Sequence, residues 1–309
     1  MKNLIITGSC GFIGTNVATE AISRGYTVYG FDNLHRGLTE DNLQHLQRTY
    51  KDKFVFVHGD VRSEVDFIRL PKDAVGIVHL AGQCGIPYAQ LSPRYDFEVN
   101  ALGTLNVLEF ARLNGKMPVA FASSNKVYTN ITNDLPVHET ETRYQWSRDN
   151  FRANKAPQAL YSGTTYLDDS VKSSPYPVAL NEQIPLDAFG KYARSLYGTS
   201  KVAGDLYMQE YYQAFGVPTV SNRMSCIYGY FQKGIEDQGW AWWMAEQVAT
   251  GDKKINIFGS GKQVRDMLFG SDVARLYLDE IEQIDKVAGQ VYNVGGGVEN
   301  TMSLLDLLP

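Results

Sequence analysis

The most informative segment of this 309-residue chain is Gly8-Ser9-Cys10-Gly11-Phe12-Ile13-Gly14. It follows the apolar run at residues 4–6 and opens a segment with helical periodicity at residues 12–24. Glycines in such a turn let the backbone approach a pyrophosphate, and the N-terminus of the next helix offers free N–H donors. A glycine-rich turn alone is weak evidence, but its position between a strand and a helix predicts dinucleotide binding.

Asp32 closes the next apolar run, residues 28–31. An acidic residue at the end of the second strand accepts hydrogen bonds from a ribose hydroxyl and repels a 2′-phosphate. The sequence therefore predicts NAD rather than NADP as the cofactor. A structural glycine turn followed by a surface aspartate is the alternative interpretation of the same residues.

Short apolar runs alternate with helical segments through the first half of the chain. The runs lie at residues 4–6, 28–31, 54–57, 75–80 and 119–122, and helical segments at 12–24 and 95–113. This alternation is typical of βαβ units. We therefore expect an α/β fold, with a doubly wound parallel-sheet Rossmann domain and a smaller C-terminal substrate-binding domain. The expected NAD-binding domain is 1–228, with an insertion at about 145–196, and the substrate-binding domain is 229–309, of which 262–275 return to the Rossmann domain.

Composition argues against several other classes of protein. The net charge is −5, which disfavours a nucleic-acid partner. Cys10, Cys84 and Cys226 are far apart and lack metal-binding spacing, so neither a disulfide framework nor a metal site is expected. The sequence has no signal peptide and no apolar run of the ~20 residues that span a bilayer. We expect a cytoplasmic protein without a membrane partner.

The motif with the clearest chemical meaning is Tyr197-Gly198-Thr199-Ser200-Lys201. Residues four apart share a helix face, so the ammonium of Lys201 is expected near the phenol of Tyr197. A free phenol has a pKa of ~10, and a nearby positive charge lowers it. Tyr197 is therefore a candidate base for a hydroxyl proton. Ser124, at the end of the fifth apolar run, is a candidate hydrogen-bond partner of the reacting oxygen. Considered alone, a serine after a strand is more simply interpreted as a loop cap.

Two further segments follow predicted strands at the same sheet edge. Asp60-Val61 follows the third run, where an adenine could be held, and Leu80-Ala81-Gly82-Gln83 follows the fourth, where small residues leave room for a cofactor. Ligands of doubly wound sheets bind beyond the carboxyl ends of the strands. Both segments are therefore expected to line one cofactor site.

Taken together, these residues resemble the extended short-chain dehydrogenase/reductase family of nucleotide-sugar enzymes. The resemblance covers nearly the whole chain. Its more specific parts are Ser124-Asn125-Lys126-Val127-Tyr128, His138-Glu139-Thr140-Glu141-Thr142-Arg143-Tyr144, Asp237-Gln238-Gly239-Trp240 and Lys262-Gln263-Val264-Arg265-Asp266. Within the family they favour the members that epimerise C2 of a CDP-sugar of the CDP-paratose or CDP-tyvelose type.

The resemblance implies an isomerase that retains NAD, oxidises a sugar hydroxyl, lets the ketone turn and reduces it from the other face. It assigns catalysis to Ser124, Tyr197 and Lys201. It also implies a homodimer formed by the helices at 95–113 and 195–215. Implied substrate contacts are Gln83, Ser124, Asn125, Cys226 and Arg265, the last at the pyrophosphate, whose oxygens a planar guanidinium matches. Implied cofactor contacts are Gly8, Gly11, Phe12, Ile13, Gly14, Asp32, Asn33, Asp60, Val61, Leu80, Ala81, Gln83, Asn100, Ser123, Tyr197, Lys201 and Ser225.

Different activities within the same family stay open. Dehydration is disfavoured, because Asn125 and Lys126 occupy the positions of an Asp-Glu pair in family 4,6-dehydratases. Cys226 stands where galactose 4-epimerases have an asparagine, yet a UDP-sugar 4-epimerase remains possible because the same tyrosine could serve either carbon. A net nucleotide-sugar dehydrogenase/reductase and a non-catalytic binding module are also compatible with the sequence.

The C-terminal part of the chain carries two further expectations. Trp240, Trp242 and Trp243 either stack on a nucleotide base or belong to the core, and we favour the core. Family members normally continue beyond the position of Pro309, so the substrate-binding domain is expected to be incomplete.

Overall fold

The computed structural model describes residues 2–134, 137–146, 180, 182–184, 186–187, 192–235, 238–251, 255–257 and 259–307. Most of the insertion predicted at about 145–196 lies outside the described residues, as does Asp237 of one resemblance motif. The sequence predictions for those positions are therefore not assessed by the structure.

A seven-stranded sheet forms the centre of the molecule, and every strand pair in it is parallel. Its strands are β1 (Lys2–Thr7), β2 (Tyr26–Asp32), β3 (Phe54–His58), β4 (Ile77–His79), β5 (Val119–Ser124), β8 (Thr219–Met224) and β11 (Gln290–Val294). The strand order is β11-β8-β5-β4-β1-β2-β3. This arrangement confirms the predicted doubly wound Rossmann sheet. The sequence analysis did not predict β11.

Helices cover both faces of the sheet, as alternation of apolar side chains along the strands requires. Leu4 and Ile6 of β1 pack on one face against the helices at residues 12–23 and 270–282. Ile5 packs on the other face against the helices at residues 103–113 and 196–215. The helices are α1 (Phe12–Ser23), α2 (Thr39–Tyr50), α3 (Ile86–Leu91), α4 (Pro93–Phe97), α5 (Gly103–Leu113), α6 (Leu196–Phe215), α7 (Trp240–Thr250), α8 (Gly270–Glu282), α9 (Ile284–Val287) and α10 (Leu304–Leu307).

The helical segment predicted at residues 95–113 is interrupted by a π-helical turn, Glu98–Leu102, between α4 and α5. This turn carries Asn100, which is buried. Turns of this kind shift the side-chain register of a helix and occur often at functional sites. The π-helical turn therefore sets the direction in which Asn100 points.

Two small sheets lie outside the parallel one. A three-stranded sheet contains β9 (Cys226–Tyr228), β10 (Val264–Phe269) and β12 (Thr301–Ser303), with β10 in the middle. A two-stranded sheet pairs β6 (Val137–Glu139) with β7 (Tyr144–Trp146). Ser303 ends β12, and the short C-terminal helix begins one residue later at Leu304. The three-stranded sheet brings Cys226 and Arg265 to neighbouring strands.

Candidate active site

The glycine turn after β1 has no room for side chains. Gly8 has a φ of +69°, and a Cβ there would lie 2.7 Å from the backbone nitrogen of Ala81. A Cβ on Gly14 would lie 2.1 Å from the carbonyl oxygen of Gly8. Helix α1 begins at Phe12 behind Gly11, with no side-chain cap and no acidic residue in its first turn. Its first N–H groups, including those of Phe12 and Ile13, are therefore suited to an anion such as a pyrophosphate.

Asp32 connects the end of β2 to the glycine turn. One of its carboxylate oxygens accepts a hydrogen bond from the backbone N–H of Cys10 at 2.9 Å, and the other accepts one from Leu34 at 2.9 Å. Burial raises the pKa of the Asp32 carboxyl, and these two hydrogen bonds oppose that effect. The acceptor predicted for a ribose hydroxyl is thus held beside the phosphate turn.

Asn33 and Asp60 lie together at the ends of neighbouring strands. The Asn33 amide donates to an oxygen of Asp60 at 2.9 Å. The Arg62 guanidinium donates to both oxygens of Asp60, at 3.0 and 2.7 Å. Burial disfavours the carboxylate, but hydrogen bonds from Arg62 outweigh it and the pKa of Asp60 falls to about 2. Val61, which lies between Asp60 and Arg62 in the sequence, is buried.

The loop after β4 is anchored to β1 and to the π-helical turn. The backbone N–H groups of Leu80 and Ala81 both donate to the hydroxyl of Thr7 at 3.2 Å. Gln83 donates its backbone N–H to Asn100 Oδ1 at 3.0 Å, and Asn100 Nδ2 donates to the Gln83 carbonyl at 2.9 Å. The cofactor residues predicted on β1, β4 and the helix are therefore brought to one sheet edge.

The three predicted catalytic residues meet beside this loop. Tyr197 and Ser124 are both buried, and Ser124 lowers the pKa of the Tyr197 phenol against the larger effect of burial. The ammonium of Lys201 donates to the Ala122 carbonyl at 3.0 Å. A Cβ on Gly82 would lie 3.0 Å from Lys201 Nζ, so the small residue in the β4 loop lets the ammonium approach.

The electrostatics of Tyr197 depend mainly on its burial. Burial is the largest influence and raises the pKa of Tyr197, with Cys84 and Asp96 acting in the same direction and the Ser124 hydrogen bond opposing them. Burial also lowers the pKa of Lys201 to about 8, against the effect of Cys84 and Asp96. Among the protein groups the cost of burying a phenolate dominates, and the lowering expected from Lys201 together with the oxidised nicotinamide ring stays a prediction.

Two residues near the catalytic group were missed by the sequence analysis. Asp96 is only 1% exposed, and its carboxylate accepts a hydrogen bond from Asn100 Nδ2 at 3.2 Å. Its position one helical turn before Asn100 is the signal that could have identified it. Cys84 follows Gln83, and its side chain lies 3.6 Å from a guanidinium nitrogen of Arg36. Nothing in its local sequence distinguishes it.

Ser123, predicted at the cofactor, takes part in a buried network instead. Its hydroxyl donates to Asp205 Oδ2 at 2.6 Å. Arg223 donates to both oxygens of the same carboxylate, at 3.1 and 3.2 Å. Asp205 follows Lys201 by one turn of α6, so this network fixes α6 against the end of β5. Ser123 thereby positions the neighbouring Ser124.

Of the remaining predicted substrate residues, Cys226 and Arg265 lie in the three-stranded sheet. Asn125 lies in the turn after β5 and is exposed. Trp240 Nε1 donates to the sulfur of Cys226 at 3.2 Å. The hydroxyl of Ser225, predicted at the cofactor, donates to the Asp266 carbonyl in β10. Arg265 lies on the exposed side of β10 and donates to the Val264 carbonyl at 3.0 Å.

Arg265 also lines a cavity between β10 and α7. Trp240 and Trp243 line the same cavity and are half-buried. One side of each ring therefore faces the cavity, and the preference for ordinary core stays a prediction for these two residues. The full lining is Trp240, Trp243, Met244, Asn256, Ile257, Gln263, Arg265 and Leu304.

Neither a metal cluster nor a membrane-spanning helix occurs in the described part of the chain. No group of three or more His, Cys, Asp or Glu side chains there could hold a metal ion. No described helix combines the length and the apolar character needed to cross a membrane.

Comparison with known proteins identifies relatives over the whole chain. Residues 5–153 match the family model described as GDP-mannose 4,6 dehydratase, and residues 148–295 match the NAD dependent epimerase/dehydratase family. CDP-paratose 2-epimerase from Salmonella typhi is 37% identical over 98% of this chain and 82% of its own.

Solved structures share the fold. Pal from Bacillus thuringiensis has a TM-score of 0.73 at 23% identity, over 99% of this chain and 80% of its own. Thermus thermophilus UDP-glucose 4-epimerase, solved in complex with NAD, has a TM-score of 0.67 at 23% identity, over 99% of this chain and 81% of its own.

The parallel sheet and these relatives define an NAD-dependent enzyme with a Rossmann fold. More specifically, the chain belongs to the NAD-dependent epimerase/dehydratase family. The family resemblance, the fold class and NAD as the cofactor, all predicted from the sequence, are thereby confirmed.

Proposed function

We propose that this chain is a nucleotide-sugar epimerase that inverts C2 of a CDP-sugar of the CDP-paratose type. The observation that carries the proposal is that Tyr197, Ser124 and Lys201 are all buried at one sheet edge, where the Lys201 ammonium donates to the Ala122 carbonyl of β5 at 3.0 Å. The choice of C2 and of CDP is supported by the relative from Salmonella typhi, which is named CDP-paratose 2-epimerase.

The residues of the sheet edge fit NAD. The backbone of the glycine turn would hold the pyrophosphate, Asp32 the adenosine ribose, and Asp60 with Val61 the adenine. Lys201 would hold the nicotinamide ribose beside Gly82 and Asn100. Bound NAD⁺ supplies a hydride acceptor and, once reduced, a hydride donor, so that no net redox change results.

Tyr197 and Ser124 perform the proton chemistry. Ser124 aligns the sugar oxygen through its hydroxyl, and Tyr197 removes the hydroxyl proton and later returns it. Burial raises the pKa of Tyr197, so the phenolate needs positive charge next to it. Lys201 and the oxidised nicotinamide ring would provide that charge. Inversion further requires that the ketone turn in the site before it is reduced from the other face.

Two parts of the chain would bind the cofactor and the substrate. Residues 1–228 would bind NAD and residues 229–309 the sugar nucleotide, with 262–275 returning to the NAD-binding part. Arg265 would contact the pyrophosphate, and Trp240 and Trp243 the base, at the cavity they share. We also propose a cytoplasmic location, which is supported by three free cysteines, as reducing compartments maintain.

A homodimer is part of the proposal. Phe97 of α4 and Leu206 and Tyr207 of α6 are 58%, 46% and 44% exposed. Apolar side chains gathered on adjacent helices are typical of a surface that a second copy covers. Helices α4 and α6 also pack against each other, so these side chains belong to neighbouring elements.

The test is NMR of the purified protein with CDP-, UDP- and GDP-sugars and no added cofactor. A C2 epimer of a CDP-sugar is the expected product, and it would establish a hydride cycle on retained NAD. A C4 epimer of a UDP-sugar would replace the proposal by 4-epimerisation. Accumulation of NADH only after NAD⁺ is added would identify a dehydrogenase instead.

A further inference from the structure

We propose that Lys126 binds the phosphate attached to the sugar and thereby presents C2, rather than C4, to the catalytic pair. The inference rests on the proposed function, because it concerns the same nucleotide-sugar site. Lys126 lies in the short 3-10 turn Asn125–Val127, directly after β5 and two residues beyond Ser124.

The backbone of Lys126 is fixed between the two catalytic residues. Its N–H donates to the hydroxyl of Ser124 at 3.1 Å. Its carbonyl oxygen lies against the first turn of α6, where a Cβ on Gly198 would come within 2.2 Å of it. Gly198 directly follows Tyr197, so Lys126 is held at a constant position relative to both the serine and the tyrosine.

The side chain of Lys126 lies among groups that leave its charge uncompensated. Burial lowers the pKa of Lys126, and the guanidinium of Arg265 lowers it further, while the Cys226 thiol acts in the opposite direction. Among the described residues, no carboxylate forms an ion pair with this ammonium.

Two cations at one partly buried site repel each other unless an anion joins them. A pyrophosphate is the anion that suits this pair, since it carries charge at two linked positions. Arg265 lines the cavity of Trp240 and Trp243, on the side proposed for the nucleotide base. Lys126 adjoins Ser124, on the side proposed for the sugar. The phosphate nearer the sugar therefore belongs to Lys126.

The position of Lys126 also bears on which carbon reacts. In a nucleotide sugar the phosphate is attached to C1, and C2 is bonded to C1, whereas C4 lies across the ring. A phosphate held two residues from Ser124 brings C2 close to the catalytic hydroxyls. It leaves C4 on the far side of the ring, so Lys126 favours reaction at C2.

The test compares nucleoside diphosphates with monophosphates by calorimetry on the NAD-loaded protein. Lys126→Met is expected to weaken CDP binding by roughly tenfold to a hundredfold, the usual effect of losing a hydrogen bond to a charged group. CMP binding should stay unchanged, and Lys126→Arg should restore most of the CDP affinity. Lys286→Met, at an exposed lysine of α9, is the matched control. An unchanged ratio of CDP to CMP affinity in Lys126→Met would overturn the inference.

The binding test does not require turnover. UDP and UMP are measured in parallel, so a different base preference still reveals a loss confined to the diphosphate. A protein that binds diphosphates through Lys126 but converts no CDP-sugar would refute the proposed function and leave the phosphate assignment intact. If Lys126→Met fails to retain NAD, Lys126→Gln is used, and equal losses of CMP and CDP affinity in that variant would also overturn the inference.

Discussion

At the residue scale, the phenol of Tyr197 carries the most direct prediction. Tyr197→Phe removes the proton acceptor but leaves a ring of the same size in a buried position. We expect turnover to fall by about 10²–10⁴-fold, the usual contribution of a positioned acid or base. Bound NAD, measured by absorbance after release from the denatured protein, should be unchanged.

The matched control for this variant is Tyr228→Phe, at a tyrosine that is 37% exposed on β9. It should keep wild-type turnover. A Tyr197→Phe enzyme that kept most of its activity would remove the proton-transfer role from Tyr197.

How much of the site the sequence reveals depends on the kind of residue. Tyr197 and Lys201 are predictable because helical spacing alone places them on one face. Asp32 is predictable because it ends a strand at a known distance after a glycine turn. Asp96 and Cys84 were missed, since they reach Lys201 only through the π-helical turn and the β4 loop. Their proximity to Lys201 depends on tertiary geometry, and only Asp96 has a local signal, its position four residues before Asn100.

At the scale of elements, the ion pair between Asp205 on α6 and Arg223 on β8 fixes the catalytic helix. Asp205 is 0% exposed and also accepts a hydrogen bond from the hydroxyl of Ser123. Asp205→Asn leaves the Arg223 charge buried without its partner, so the free energy of unfolding should fall by about 3–5 kcal/mol. Urea denaturation measures this change.

A matched variant at an exposed ion pair separates the effect of burying a charge from the effect of losing one. Glu139→Gln removes the partner of Lys262 in an ion pair whose carboxylate side chain is 57% exposed. Its effect should stay below about 1 kcal/mol. Equal effects of Asp205→Asn and Glu139→Gln would show that the buried network does not hold α6 in place.

Glu280 of α8 makes stability depend on pH. It accepts a hydrogen bond from Asn222 Nδ2 at 2.8 Å, while its other oxygen, the Tyr277 hydroxyl and Asn222 Oδ1 have no partner among the described residues. Burial is the main cause that raises the pKa of Glu280 to about 7, with Asp279 adding to it and Asn222 opposing it. The folded protein therefore keeps a proton that the unfolded chain releases at lower pH.

The sign of the effect follows from this difference in proton binding. Between the ordinary glutamate pKa and about 7, the folded state binds more protons, so the free energy of unfolding should fall as pH rises, by about 3 kcal/mol in total. Glu280→Gln keeps an acceptor for Asn222 and should lose this part of the pH dependence. Urea denaturation of both proteins at several pH values tests it, and parallel profiles would contradict the assigned pKa.

Elements differ in how well the sequence predicts them. β1 and β2 are short apolar runs buried on both sides, which makes them recognisable as strands from the sequence. β11, Gln290–Val294, mixes polar and apolar residues because it is an edge strand that is not fully buried. Its membership of the parallel sheet follows from pairing with β8, a contact across about seventy residues that periodicity does not reveal.

At the scale of the whole molecule, the fold was predictable from its first half, but the placement of the C-terminal part was not. In the first half, short apolar runs alternate with helical segments, and this alternation indicates a Rossmann sheet. From β9 onward the chain forms the three-stranded sheet, returns as α8 to pack on α1, and adds β11 to the large sheet. The sequence analysis expected the return at residues 262–275, whereas β10 (Val264–Phe269) lies in the three-stranded sheet and the return runs through α8 and β11.

The proposed homodimer gives the last prediction, because it would depend on the exposed apolar surface formed by Phe97, Leu206 and Tyr207. A dimer of this 34.6 kDa chain through α4 and α6 should be broken by Leu206→Glu, which places a charge among Phe97 and Tyr207. Sedimentation should then show a monomer that still retains NAD, since the Leu206 side chain is exposed whereas Lys201, the cofactor residue of α6, is buried. Val65→Glu, at a side chain 75% exposed outside both helices, should leave the dimer intact. A wild-type monomer at micromolar concentration, or a Leu206→Glu dimer, would mean that a second copy does not cover this surface.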